Sequence, residues 1–202
     1  MSLQPDCGGS LLKLWPQKRW KQIVFVVVLV LIVMFVAFGT FAGLLLSGAI
    51  NREVVSEIDV KNADGSKTAL IVYQPGFSSF PKEVSYSFGD GLASSGWRVE
   101  ITTASSEAPS DLSKYSLLAL AYPVYGGTVG TAIVKYVDRI SDFNGINTVI
   151  IACAGGDSGE SIIPLKQQVE AANGTFYDSL ALSNGNSTTL ESARQAGSII
   201  TP

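Results

Sequence analysis

Three short stretches of the chain combine residue types that could hold a phosphate or a flat ring. The first is Gln74-Pro-Gly-Phe-Ser-Ser-Phe-Pro81, where a glycine permits a tight turn, Ser78 and Ser79 offer hydroxyls, and a helix start would supply free backbone N–H groups. The same residue types serve equally as a turn followed by a helix cap. The second is Tyr122-Pro-Val-Tyr-Gly-Gly-Thr128. Here Tyr125 could stack on a planar ligand, while Val124, Gly126 and Gly127 leave backbone groups open to its polar edge. The plain alternative is a strand break with Tyr125 covering the core. The third, Ala154-Gly-Gly-Asp-Ser-Gly159, lets backbone at Gly155, Gly156 and Asp157 come close to a ligand, or simply connects two elements.

Other chemistries are excluded by composition. The 202 residues contain no histidine, which removes His-based metal sites, Ser-His-Asp triads and histidine general bases. Ser158 and Ser161 therefore have no base in their motif to make them nucleophiles. Cys7 and Cys153 lie on either side of a long apolar run and form neither a Cys-x-x-Cys pair nor a disulfide framework.

The three stretches act together only if strands deliver them to one edge. Short aliphatic runs at Ala69–Tyr73, Leu117–Ala121 and Thr148–Ala152 suit parallel strands covered on both faces. Trp97–Ile101 alternates and reads as an edge-type strand, and a last strand is expected near Phe176–Leu182. Between them the period turns helical: Val84, Phe88 and Leu92, stopping at Gly96; Ile133, Val137 and Ile140, before Asn144-Gly145; and Ile162, Leu165, Val169 and Ala172, capped by Ser161 and closed by Asn173-Gly174. Thr188-x-x-Glu191 has the spacing that opens a final helix. Strand and helix alternate through five repeats, which predicts an open, mostly parallel sheet with helices on both faces. In such sheets ligands bind beyond the carboxyl ends of the strands, where the three stretches fall.

Ahead of this domain, Ile23–Leu46 runs 24 residues without a charge, about 36 Å as a helix, enough to cross a bilayer. Mean hydropathy of the whole chain is +0.30 and 15% of residues are charged, values that fit a chain with part of its length in lipid. A cleavable signal is the competing reading, since Ser47-Gly48-Ala49 resembles a cleavage site. Its apolar core would run only about 7–15 residues, so the segment is read as an uncleaved anchor. Lys13, Lys18, Arg19 and Lys21 precede the span and only Arg52 follows it closely, which places the N-terminus in the cytoplasm and the domain across the membrane. Residues 1–50 carry four Lys/Arg against one acid, whereas residues 51–202 carry ten against sixteen, so nucleic acid is not an expected partner. The sequons at Asn173 and Asn186 are compatible with a translocated domain. Gly39, Gly43 and Ser47 recur every fourth residue and would let a second copy's helix approach, giving a homodimer. The organisation expected is a basic tail over 1–22, the transmembrane helix over 23–50, a tether over 51–66 and the domain over 67–202.

The order of elements, the segment Ala121-Tyr-Pro-Val-Tyr-Gly-Gly127 and the following Ile133-Val-Lys-Tyr-Val-Asp-Arg139 resemble flavodoxins and flavodoxin-like FMN proteins, over about residues 67–200. The resemblance implies a flavodoxin-like doubly wound, five-stranded parallel sheet in the order 2-1-3-4-5, preceded here by one transmembrane helix, with FMN at the carboxyl edge. It further implies that Ser78 and Ser79 meet the phosphate, that Tyr125 with Gly126 and Gly127 border the ring system, and that Gly155, Gly156 and Asp157 lie on its other side, with Gln74 and Val124 also counted among the cofactor-binding residues. The first loop departs from the Ser/Thr-x-Thr-Gly-x-Thr form common in that family, with Gln74, Pro75 and Phe77 in it and Pro81 bringing no N–H. Two functions are thus expected as alternatives: a membrane-anchored FMN protein passing electrons to a redox partner, or a domain of the same fold that has lost FMN and serves as a binding or assembly module. A receiver domain is excluded, because Ala121-Tyr122 stands where its phospho-acceptor Asp should end the third strand.

Overall fold

The computed structural model describes residues 17–50, 53–156, 158–185 and 188–202, with side chains from Arg19 onward except at 45–47, 49 and 50. The chain divides into two compact units, Met1–Gly48 and Ala49–Pro202. The first is built on helix α1 (Gln17–Ile50), whose stretch Arg19–Leu44 is long and apolar enough to cross a membrane.

The second unit follows the aliphatic and helical periods closely: β1 (Asp59–Lys61), β2 (Lys67–Tyr73), α2 (Phe80–Ser94), β3 (Trp97–Thr103), β4 (Leu117–Pro123), α3 (Thr131–Arg139), β5 (Asn147–Ala154), α4 (Ile162–Ala171), β6 (Thr175–Ser183) and α5 (Thr189–Ser198). The sheet order is β1-β3-β2-β4-β5-β6. From β3 to β6 every pair is parallel, which is the doubly wound 2-1-3-4-5 arrangement.

Alternation along β2 divides the core. Ala69 and Ile71 face α2 and α5 together with Phe88, Leu92, Val99 and Ala193, whereas Leu70 and Val72 face α3 and α4 with Ile133, Val137, Leu165 and Val169. Each fully buried aliphatic or aromatic side chain contributes roughly 1.5–3 kcal/mol. Helices α2 and α5 touch backbone to backbone: a Cβ at Gly91 would lie 2.0 Å from the Arg194 carbonyl oxygen, and one at Gly197 would lie 2.3 Å from that of Phe88.

The structure corrects the expected sheet at one edge. Among the described residues the sheet has six strands instead of five, because Asp59–Lys61, within the stretch read as a tether, pairs antiparallel with Val99–Ile101. Trp97–Thr103 is therefore not an edge strand. Glu100, an outward position by alternation, is only 5% exposed. Its carboxylate accepts bonds from Tyr115 Oη (2.7 Å), Lys114 Nζ (3.0 Å) and Arg98 Nη2 (3.2 Å). Burial pushes this carboxyl up, and the bonds from Tyr115 and Lys114 outweigh it, so the net direction is down. At α4, Ser161 occupies the cap position but donates its hydroxyl to the Ser158 carbonyl at 2.7 Å, and a 3₁₀ turn over Gly159–Ser161 leads in where a side-chain cap was expected.

Candidate functional site

The loop after β2 starts with Gln74, which is buried and turned inward. Its N–H donates to the Ala121 carbonyl (2.8 Å) and its Oε1 accepts from the Ile133 N–H (3.1 Å), so its side chain braces the start of α3. The chain then crosses Pro75 and Gly76 to Phe77, whose N–H donates to the Tyr125 hydroxyl at 2.7 Å while the two rings pack with centroids 5.2 Å apart. A Cβ on Gly76 would lie 2.7 Å from that same hydroxyl. Tyr125 thus sits against the turn, with its oxygen accepting from the Phe77 N–H. Ser78 Oγ accepts from the Phe80 N–H (3.4 Å), and Ser79 donates its hydroxyl to Glu83 in the first turn of α2. Pro81 in that turn has no N–H to give.

The loop after β4 is pinned at both ends. Val124 N–H donates to the Cys153 carbonyl (2.8 Å), and Tyr125 to Thr128 closes as a tight turn with Gly126 and Gly127 at φ of +61° and +76°. Positive φ at both central positions is why glycine is needed twice there. Beyond β5, Gly155 and Gly156 are exposed with open space where side chains would be, and Asp157 lies outside the described residues. Of the two sequons, Asn173 is exposed while Asn186 lies outside the described residues.

These loops enclose a cavity of about 270 Å³ whose walls include Phe77, Phe80, Pro123, Tyr125, Cys153 and Gly155. Among the residues expected at the site, it brings together Ser78, Val124, Tyr125 and Gly155, and does not include Gln74, Ser79, Gly126, Gly127 or Gly156. Phe80, 8% exposed, belongs to the core beneath it, and Phe77, 58% exposed, forms its rim. Burial pushes the Cys153 thiol up to about 12, so it stands as a neutral apolar wall and not as a nucleophile.

Three donors of this turn are already engaged within the protein: the Phe77 N–H with Tyr125, the Phe80 N–H with Ser78 and the Ser79 hydroxyl with Glu83. Lys82, the nearest cation in sequence, places its Nζ 5.5 Å from the Tyr86 ring centroid, and Glu83 brings a negative charge to the helix start. In this arrangement the residues do not fit FMN. The Tyr125 hydroxyl and Glu83 are the two features the sequence reading missed. Gly76 directly before an aromatic, and an acid four residues after Ser79, were the available signals.

The architecture defines a flavodoxin-like α/β protein. Solved structures similar to it include a flavodoxin from the domain Archaea (TM-score 0.57, 18% identity, covering 66% of this chain and 95% of that one) and the two-electron reduced Megasphaera elsdenii flavodoxin (0.56, 17%, 65% and 99%). The Flv1 flavodiiron core from Synechocystis sp. PCC6803 also matches (0.54, 18%), over 68% of this chain but 36% of its own length. At these identities the likeness is one of fold. No family model and no curated protein matches the chain.

Proposed function

We propose that this chain is a flavodoxin-fold module held at a bilayer by its N-terminal helix, and that it works by binding and assembly on the far side of the membrane and not by carrying FMN electrons. The observation that carries this reading is the Phe77 N–H donated to Tyr125 Oη, which closes the first turn with the protein's own hydroxyl. The charge asymmetry around the span supports a cytoplasmic basic tail over 1–22 and a translocated domain. The helix face carrying Gly39 and Gly43 is the candidate homodimer contact; nothing lies within 4 Å of either missing Cβ, and the side chain of Ser47 is outside the described residues.

FMN electron transfer to a partner protein is the second reading, favoured by the open glycine turn at Gly126–Gly127 and by a tyrosine at the cavity rim. For FMN to bind, Tyr125 would first have to leave the Phe77 N–H. Purification of the full chain in detergent, followed by an absorbance titration with FMN, separates the two. Binding weaker than about 1 μM supports the module, and tighter binding supports the carrier.

A further inference from the structure

A second cavity, about 220 Å³, lies where the loop after β3 meets α3, and it shares no lining residue with the first. Ala104, Ala132 and the Tyr136 ring give it apolar walls, and Ser105, Lys135 and Arg139 give it hydrogen-bond donors and positive charge. Lys135 and Arg139 stand one helical turn apart on α3. Arg139 is fixed in place, since Nη1 donates to the Ser105 carbonyl (3.0 Å) and Nη2 to that of Ala108. Among the described residues its buried Nε has no acceptor, and the hydroxyl of Ser105, a residue 5% exposed, has no partner either. These two donors, on residues that line the cavity, are left unused.

The edge of the cavity already holds one carboxylate. Glu53, which also lines it, accepts the Ser106 backbone N–H through Oε1. Its carboxyl lies below the usual range first because of that N–H, then because of the Ser106 side chain, with Lys135 and Arg139 adding to the effect. Glu53 is itself exposed, so solvent and salt weaken its hold.

We propose that this cavity binds a small carboxylate with an apolar body, whose carboxylate displaces Glu53 and takes the Ser106 N–H, the Ser105 hydroxyl and Arg139 Nε. Glu53 begins a strap along β3. The Val54 carbonyl accepts from Thr103 Oγ1, the Ser56 carbonyl from Thr102 Oγ1 (3.2 Å), and Ser56 Oγ from the Thr103 N–H (3.1 Å). The inference goes beyond the reading above and holds whether or not FMN binds.

The test is calorimetric titration of the detergent-solubilised full chain with benzoate, and with inorganic phosphate for comparison. Glu53→Ala, which removes the competitor, should tighten benzoate binding about threefold to tenfold. Ser105→Ala should weaken it by a similar factor, the worth of one hydrogen bond. Lys135→Gln should weaken it about threefold without moving Tm, and Tyr125→Phe should leave it unchanged. No benzoate binding by Glu53→Ala at about 10 mM, a limit near −3 kcal/mol, would overturn the proposal. Phosphate binding as tightly as benzoate would overturn it as well, as would an affinity indifferent to both Glu53→Ala and Ser105→Ala. If Glu53→Ala proves unstable, the Ser105→Ala and Lys135→Gln titrations still decide it.

Discussion

At the scale of single residues, two side chains set the character of the protein. Tyr125 Oη occupies the turn that would cradle a phosphate, and its partner N–H lies 48 residues away in sequence. No periodicity reports a pairing of that kind, because it depends on how two loops meet once β2 and β4 are side by side in register. The location of the three loops at one sheet edge was legible in the sequence, and the closure of one by another was not. Glu100 is the second case. Alternation along Trp97–Ile101 assigned it to solvent, whereas Arg98, Lys114 and Tyr115 enclose it. A carboxyl held below its ordinary value adds stability that is complete above the unfolded-state pKa, about 4.3, and is lost as pH falls through the lower folded value. Glu100→Gln should therefore destabilise the domain by about 1–3 kcal/mol at neutral pH and by less below about pH 4, as measured by urea unfolding across pH. Equal loss at both pH values would refute the role assigned to its charge.

Among the elements, the five parallel strands and the helices between them were readable because each buries a continuous aliphatic run or a single apolar stripe. Strand β1 was not, since Asp-Val-Lys over three residues carries no period and forms only because β3 presents an open edge. Helix contact was also invisible in the sequence, as Gly91 lies within α2 with nothing local to require it. The backbone of α5 supplies the reason, with Arg194 O only 2.0 Å from a would-be Cβ. Gly91→Ala should cost about 1–3 kcal/mol by overpacking, in spite of alanine's higher helix propensity. Thermal unfolding measures it, and a raised Tm would show that α2 and α5 can part without penalty.

For the whole molecule, an apolar helix precedes an acidic domain, and Lys13, Lys18, Arg19 and Lys21 lie ahead of the uncharged run Ile23–Leu46. Fusions of a periplasm-active reporter and a cytoplasm-active reporter to the C-terminus should give signal only from the first, and signal only from the second would reverse the proposed topology. The fold is that of flavodoxins, but folds of this type host unrelated activities, so function rests on the turn at Gly76–Phe77 and what fills it. The most direct measurement is a paired FMN titration of the wild type and Tyr125→Phe in the full detergent-solubilised chain. If the hydroxyl closes the cradle, the wild type binds more weakly than about 1 μM and Tyr125→Phe gains about tenfold, roughly 1.4 kcal/mol. Submicromolar binding by the wild type, reduced in Tyr125→Phe, would contradict the account.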